Sequence, residues 1–365
     1  MPDASPPALS IADVVFAEAT PRQRTLSWEL NGASWAPPMT LGEYVGREQV
    51  LSETALYANG GTKYWVLHSK DNPEAVVSGC ETTAKKVLIA DASGSRLVDA
   101  YSVASVFTNP EYRGRGLAGH MLRKVQEVVD ESTECGALYS DIGRHFYSRL
   151  GWPDFRSPQV TLKMEEGFEA PPVSGVSLLA ESEVAALCER DIEALTQKFE
   201  DLAKEKDGKT HITFLPSFAQ CSWHFARDAY VAKVMHKREI QNRGAVTPDG
   251  ASWLYWDHDV REEKLKIQRI VMQGSDMPEK RAADVRALLV AALAEASDWG
   301  LPKVLVWSPG PEVSAAATDI WRKGGEKLQV TFDERQDGSI PSLRWKSGKD
   351  IGEVVWEDNE YFSWC

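Results

Sequence analysis

The residues best suited to chemistry lie in segment 109–118, which reads Asn-Pro-Glu-Tyr-Arg-Gly-Arg-Gly-Leu-Ala. A β-type run over 101–108 leads into it, and Leu117, Met121, Leu122, Val125, Val128 and Val129 follow at helical spacing. A helix starting this abruptly leaves its first N–H groups unpaired, and with the helix dipole they form a site for a diphosphate. Gly114 and Gly116 let phosphates approach the backbone, while Arg113 and Arg115 can add charge-assisted contacts. Gly/Arg strings elsewhere merely turn the chain; the position between strand and helix is what favours a phosphate. The segment is neither a Gly-x-Gly-x-x-Gly dinucleotide fingerprint nor a Gly-Lys-Ser/Thr nucleotide loop.

Two carboxylates are placed to handle a proton or an ammonium. Glu81 ends a β-type run after the turn Asp71-Asn72-Pro73, and Asp141 follows the run 137–140. Each also reads as a structural or surface acid. Two other clusters are discounted. Asp257-His258-Asp259 has the pattern of a strand end, and Cys221-x-x-His224 with His236 lacks a fourth ligand at zinc spacing. No metal site is expected.

The elements that must position these groups form an α/β (α+β) order. A helix is expected over 40–59, with Thr40 and Glu43 as a capping box and Asn59-Gly60-Gly61 as the stop. Strands are expected at 64–67, 75–81 and 101–108, then the helix from Leu117 and a strand at 137–140. A short helix carries Phe146, Tyr147 and Leu150 and stops at Gly151, and a last strand covers 160–164. This predicts one domain over 1–165, a linker over 166–175 and a second α+β domain over 176–365. The second part has helical patterns at 181–206 and 281–297 and strands near 252–256, 264–272 and 304–307. The order of elements in 101–150 recurs over 264–324, with Ile320-Trp321 and Gly324 in place of Phe146-Tyr147 and Gly151. The loop 274–279 lacks the glycines. The echo reads either as a degenerate copy of the first fold that shapes the substrate site or as chance similarity of αβ order.

Composition narrows the partners. The 365 residues, 43% apolar and 26% charged, describe a globular chain of about two domains. Against 54 acidic residues there are 41 Lys and Arg, a net charge of −13. Such a surface argues against nucleic acid and anionic membranes and suits a cationic small substrate, though only weakly at cellular salt. Five scattered cysteines fit a reducing compartment rather than a disulfide framework. The longest apolar run, 287–294, is too short for a bilayer, and the first residues carry no leader pattern, so the expected place is the cytoplasm.

The motifs resemble those of the GNAT superfamily of acetyl-CoA-dependent N-acyltransferases. Arg113-x-x-Gly116-x-Ala118 is similar to its diphosphate loop, and Phe146-Tyr147-Ser148-Arg149-Leu150-Gly151-Trp152 to its Phe-Tyr-x-x-Leu-Gly-Phe/Trp helix end. Ser140 and Gly143 depart from that pattern where Asn and Ala are usual. The stretches 61–67, 79–82, 105–108 and 138–143 are similar to fungal L-lysine 6-N-acetyltransferases, and together these similarities cover most of 40–165. The resemblance implies a GNAT-type acetyl-CoA-binding fold and acetyl transfer to the ε-amine of free L-lysine, in lysine catabolism. It implies cofactor contacts at Val106, Phe107, Thr108, Arg113, Gly114, Arg115, Gly116, Leu117 and Ala118, with Tyr147 as general acid to the leaving thiolate. Glu81 or Asp141 would be the base or hold the ammonium.

Attack requires a neutral amine, and deprotonating a lysine-type ammonium at pH 7 costs roughly 4–5 kcal/mol. No activated nucleophile is evident, so direct attack in a ternary complex is expected. The aromatic end, Tyr361-Phe362-Ser363-Trp364-Cys365, is expected to dock. It either closes over the acceptor pocket through Trp364 and Cys365 or simply packs on the second domain. Other small amines, such as a polyamine or an aminoglycoside, and a non-catalytic acetyl-CoA-binding module are the competing readings.

Overall fold

The structure is a computed structural model describing residues 9–273, 277–346 and 351–364. Two sheets organise it. The first opens with β1 (Val14–Glu18), then α1 (Pro21–Trp35) and α2 (Leu41–Ser52) on one face. Both helices begin with a capping box, Thr20 with Gln23 and Thr40 with Glu43, which satisfies two N–H groups at each start. Helix α2 ends at Ser52, short of the expected residue 59, and the Thr54 hydroxyl takes the Leu51 carbonyl at 2.7 Å. The turn that follows brings Tyr57 back toward the sheet.

Strands β2 (Thr62–Ser69), β3 (Val76–Asp91) and β4 (Gly94–Thr108) form an antiparallel meander. The β3–β4 hairpin runs much further than the expected strand ends at 81 and 101. Its far end is buried because β8 (Thr210–Phe214) pairs with residues 87–90. Helix α3 (Leu117–Val129) crosses back to β5 (Cys135–Ser140), parallel to β4, and α4 (His145–Ser148) follows. The buried side of α3, including Leu117, Met121, Leu122, Val125 and Val129, packs in a cluster with Leu67, Val77, Val103 and Leu138 from the sheet. That burial, at about 25 cal/mol per Å² of apolar surface, holds the helix start against the sheet.

The next strand, β6 (Pro158–Met164), leaves this sheet. It lies in the second sheet, between β12 (Lys303–Trp307) and β13 (Leu328–Glu334). Its expected place as the last strand of the first domain is taken by β14 (Ile340–Trp345), which pairs antiparallel to β5. The short β15 (Val354–Trp356) extends the first sheet beyond β8. The two sheets therefore do not divide at residue 165: each half of the chain lends strands to the other.

Residues 165–176 carry no strand or helix. The second sheet is completed by β7 (Ser177–Leu179), β9 (Gly244–Val246), β10 (Ser252–Asp259) and β11 (Lys264–Met272). Helices α5 (Glu181–Glu205), α6 (Phe218–His236), α7 (Pro278–Asp298) and α8 (Pro311–Gly324) pack around the sheets. Strands β11 and β12 run parallel with α7 between them, as β4 and β5 do with α3. The internal echo is thus a repeat of topology. The match of side chains fails, because Trp321 is half exposed and Ile320 is buried, whereas Tyr147 is buried. Of the loop 274–279, residues 274–276 lie outside the described residues.

Candidate active site

Gly114 and Gly116 have φ +77° and +74°, and Gly116 is the N-cap of α3. An added Cβ at either would meet no atom within 4 Å, so the protein's own demand for glycine is conformational. The result is a run of main-chain N–H groups, from Gly114 through Gly119, with no acceptor among the described residues. The first helical closure is His120 N–H to the Gly116 carbonyl at 3.0 Å. Leu117 is buried and fixes the helix start, while Ala118 keeps that turn narrow. Arg113 donates its Nε to the Thr108 carbonyl at 3.0 Å and lies over Phe107, bracing the strand end. Arg115 is exposed at the rim, 3.3 Å from the Leu9 carbonyl.

Strands β4 and β5 pair only from Ala100–Cys135 to Val103–Leu138 and then part. At the parting, two steps along β3 match three along β4, and the extra residue is Ser105, with φ +54°. A left-handed serine inside a strand is a bulge that re-aims the chain beyond it. Asn109 N–H is bound to the Val77 carbonyl at 2.9 Å, so ladder alternation turns the N–H of Thr108, and beyond Phe107 that of Val106, to the open edge. Phe107 faces α1, edge-on to Trp35.

Glu81 sits on β3 opposite Tyr64 and Ala104, only 5% exposed. Burial, with the Glu48 carboxylate nearby, pushes its carboxyl up to about 8, against hydrogen bonds from Ser105 and Tyr57 and the charge of Arg47. The neighbouring Cys80 faces the other side of the sheet, in the cluster that holds Tyr147, Val103 and Leu138. Tyr147 is buried, and its hydroxyl makes no hydrogen bond among the described residues. Burial, with Cys80 and Asp141 adding, pushes its phenol well up, so it stays a proton donor. Glu81 and Tyr147 thus flank the open end of β4 from opposite faces. Asp141 is exposed and accepts the Ser339 N–H at 2.8 Å, which holds the turn before β14. The geometry leaves it at the surface.

On the Glu81 face, α2, the turn after it, α6 and the chain end meet in an aromatic cluster built on Leu51, Tyr57 and Trp223. Tyr57 stacks on Trp223 at 5.5 Å, and Trp364 packs with Trp223, Tyr361 and Tyr57. Tyr361 and Phe362 are buried, and Arg269 ties the tail down through Asp358 and Glu360 at 3.1 and 2.5 Å. The Trp364 carbonyl accepts from Gln220 at 3.1 Å. The tail therefore docks, and of the two expectations the structure shows the packing one, with Trp364 against Trp223 and Tyr361. Cys365 lies outside the described residues.

Asp257 and Asp259 face α6 and Lys266, whereas His258 between them faces Asp228 and Glu295, so strand alternation breaks up that triplet. Among the described residues, no group of His, Cys, Asp and Glu side chains could hold a metal, and no helix is long and apolar enough to cross a membrane. Sequence reasoning missed Arg47, Glu48, Tyr57, Ser105, Trp223 and Arg227. The one available signal was Trp223 and Arg227 at i,i+4 on a helix, which places them on one side of α6.

A parallel β4–β5 pair that parts beside a glycine-opened helix, with a bulge at the parting, is the arrangement of a GNAT-type fold. Residues 159–365 match the family described as the LYC1 GNAT-like C-terminal domain, and the chain belongs to that family. A Yarrowia lipolytica protein named lysine acetyltransferase is 23% identical over 91% of this chain and 94% of its own. An uncharacterised Saccharomyces cerevisiae protein is 24% identical over 96% of this chain and 98% of its own. In fold, the chain is similar to a GCN5-related N-acetyltransferase from Kribbella flavida (TM-score 0.52, 15% identity, 92% of this chain and 72% of that one). It is also similar to the S. cerevisiae N-myristoyltransferase solved with bound myristoyl-CoA (TM-score 0.53, 10% identity, 94% and 82%).

Proposed function

We propose that the protein transfers the acetyl group of acetyl-CoA to the ε-amine of free L-lysine by direct attack in a ternary complex. The observation that carries this reading is the buried Glu81 carboxyl on β3, beside the point where β4 and β5 part, where burial pushes it up to about 8. The unpaired N–H groups of 114–119 bind the diphosphate, and an N–H on the open edge of β4 donates to the developing oxyanion. Tyr147 donates its proton to the departing thiolate.

Glu81 takes the proton of the ammonium. Against an amine at about 10.4, a carboxylate at about 8 leaves a cost of roughly 3 kcal/mol, where an ordinary glutamate at about 4.3 leaves about 8 kcal/mol. The desolvation that makes Glu81 a poor anion makes it an effective base. The aromatic walls suit the methylene stem of lysine, and the Yarrowia relative carries the corresponding name. A CoA-release assay over lysine, ornithine, polyamines and a lysine peptide tests the reading. Lysine is the preferred acceptor; better turnover of any other panel member refutes it.

A further inference from the structure

Glu81 faces a row of aromatic rings that the transfer chemistry does not use. The ladder pairs it with Tyr64 across β2 and β3, so the two side chains are nearest neighbours on one face of the sheet. Tyr64 packs against the cluster of Leu51, Tyr57 and Trp223. Tyr57 is 6% exposed; its carbonyl accepts the Thr62 N–H at 3.3 Å, and its hydroxyl donates to the Glu81 carboxylate. The Tyr57 ring stacks on Trp223 of α6, with centroids 5.5 Å and planes 26° apart. Beyond Trp223 come Trp364 at 6.3 Å and, stacked on that ring, Tyr361 at 5.7 Å. The row therefore runs from the chain end to the carboxyl.

A carboxylate works as a base when one oxygen is aimed at the ammonium, and a donor fixed on the group sets that aim. Tyr57 lies in the turns between α2 and β2, so its ring is held by what it packs on. Resting on the reading given under Proposed function, we propose that Tyr57 is a positioning residue for the base. Its hydroxyl aims the Glu81 carboxylate, and Trp223, backed by Trp364 of the chain end, fixes the Tyr57 ring for that task. The tail's part is mechanical. Arg269 holds Asp358 and Glu360, and Gln220 holds the Trp364 carbonyl, which keeps the last ring on Trp223.

The test is the pH profile of kcat/KM for L-lysine in wild type, Tyr57→Phe, Trp364→Ala and Trp364→Phe. Tyr57→Phe leaves the other polar groups around Glu81 in place: Tyr64 on β2, Tyr44, Arg47 and Glu48 on α2, and Ser105 on β4. On α6, Arg227 over the Trp364 ring at 5.4 Å is also untouched. Losing one hydrogen bond to the charged carboxylate moves the rise in rate up by about one to two pH units. Loss of aim lowers the plateau about 10-fold. Trp364→Ala moves the rise the same way by less, and Trp364→Phe restores it. Rings that only stabilise the fold would lower the rate at every pH without moving the rise. A Tyr57→Phe protein whose rise stays at the wild-type pH therefore overturns the proposal, and an unmoved rise in Trp364→Ala overturns the part given to the chain end. Urea unfolding reads the same contact without turnover. Wild-type stability falls with pH and levels near 8, whereas in Tyr57→Phe the fall continues to about pH 9 or beyond. Coincident unfolding profiles overturn the proposal even if the Trp364 variants do not fold. A wild type that acetylates no lysine overturns the functional reading itself, even where the unfolding profiles show the Tyr57–Glu81 contact.

Discussion

Replacing Glu81 with Gln removes the proposed base while keeping its size and most of its hydrogen bonding. The carboxyl moves from an ordinary 4.5 to about 8 on folding. Between those values the native state binds a proton that the unfolded chain does not, so stability falls as pH rises. The contribution of neutral Glu81 is complete below pH 4.5 and gone above pH 8. At 1.36 kcal/mol per unit, the span is at most about 5 kcal/mol. Glu81→Gln therefore gains stability relative to wild type from pH 5 to pH 9, by up to that amount, in urea unfolding. In a CoA-release assay it loses about 10²- to 10⁴-fold in kcat/KM for lysine. It also loses the rise in rate with pH that levels near 8 in the wild type. A variant within threefold of the wild-type rate, or no more stabilised at pH 9 than at pH 5, refutes the reasoning.

Gly116→Ala must hold alanine at φ +74°, costing about 1–2 kcal/mol, so acetyl-CoA affinity by calorimetry should fall at least severalfold. Tyr147→Phe should lower kcat about 10- to 100-fold with CoA affinity unchanged, since its hydroxyl is used only as the thiolate leaves. Burial opposes a charge on His258, but Asp228 and Glu295 outweigh it and raise its pKa. Its contribution to stability is complete below pH 6.5 and is lost as pH rises through the raised value, and His258→Gln should flatten that part of the unfolding profile.

The diphosphate loop was legible because its determinants are local: two glycines, a strand before and an amphipathic helix after. The Tyr147 helix was legible for the same reason, as were Glu81 as a candidate and the docking of the tail. The aromatic cluster was not, because Leu51, Tyr57, Trp223 and Trp364 meet only through tertiary packing across most of the chain. Ser105 carries no sequence mark, since serine is an ordinary strand residue and its left-handed φ comes from the bulge. The β3–β4 hairpin was expected to end at 81 and 101, because the part beyond is buried only through β8, which pairs with residues 87–90 and comes from far along the chain. The exchange of β6 and β14 was equally hidden, because either strand has the pattern to pair in either sheet.

The proposed acetyl transfer to the ε-nitrogen of lysine is read out by the identity of the product. Incubation with acetyl-CoA and ¹⁵N-labelled L-lysine, followed by NMR, should show an amide at the ε-nitrogen alone, with CoA released in equal amount. Acetylation at the α-nitrogen, or no amide at all, would contradict the account.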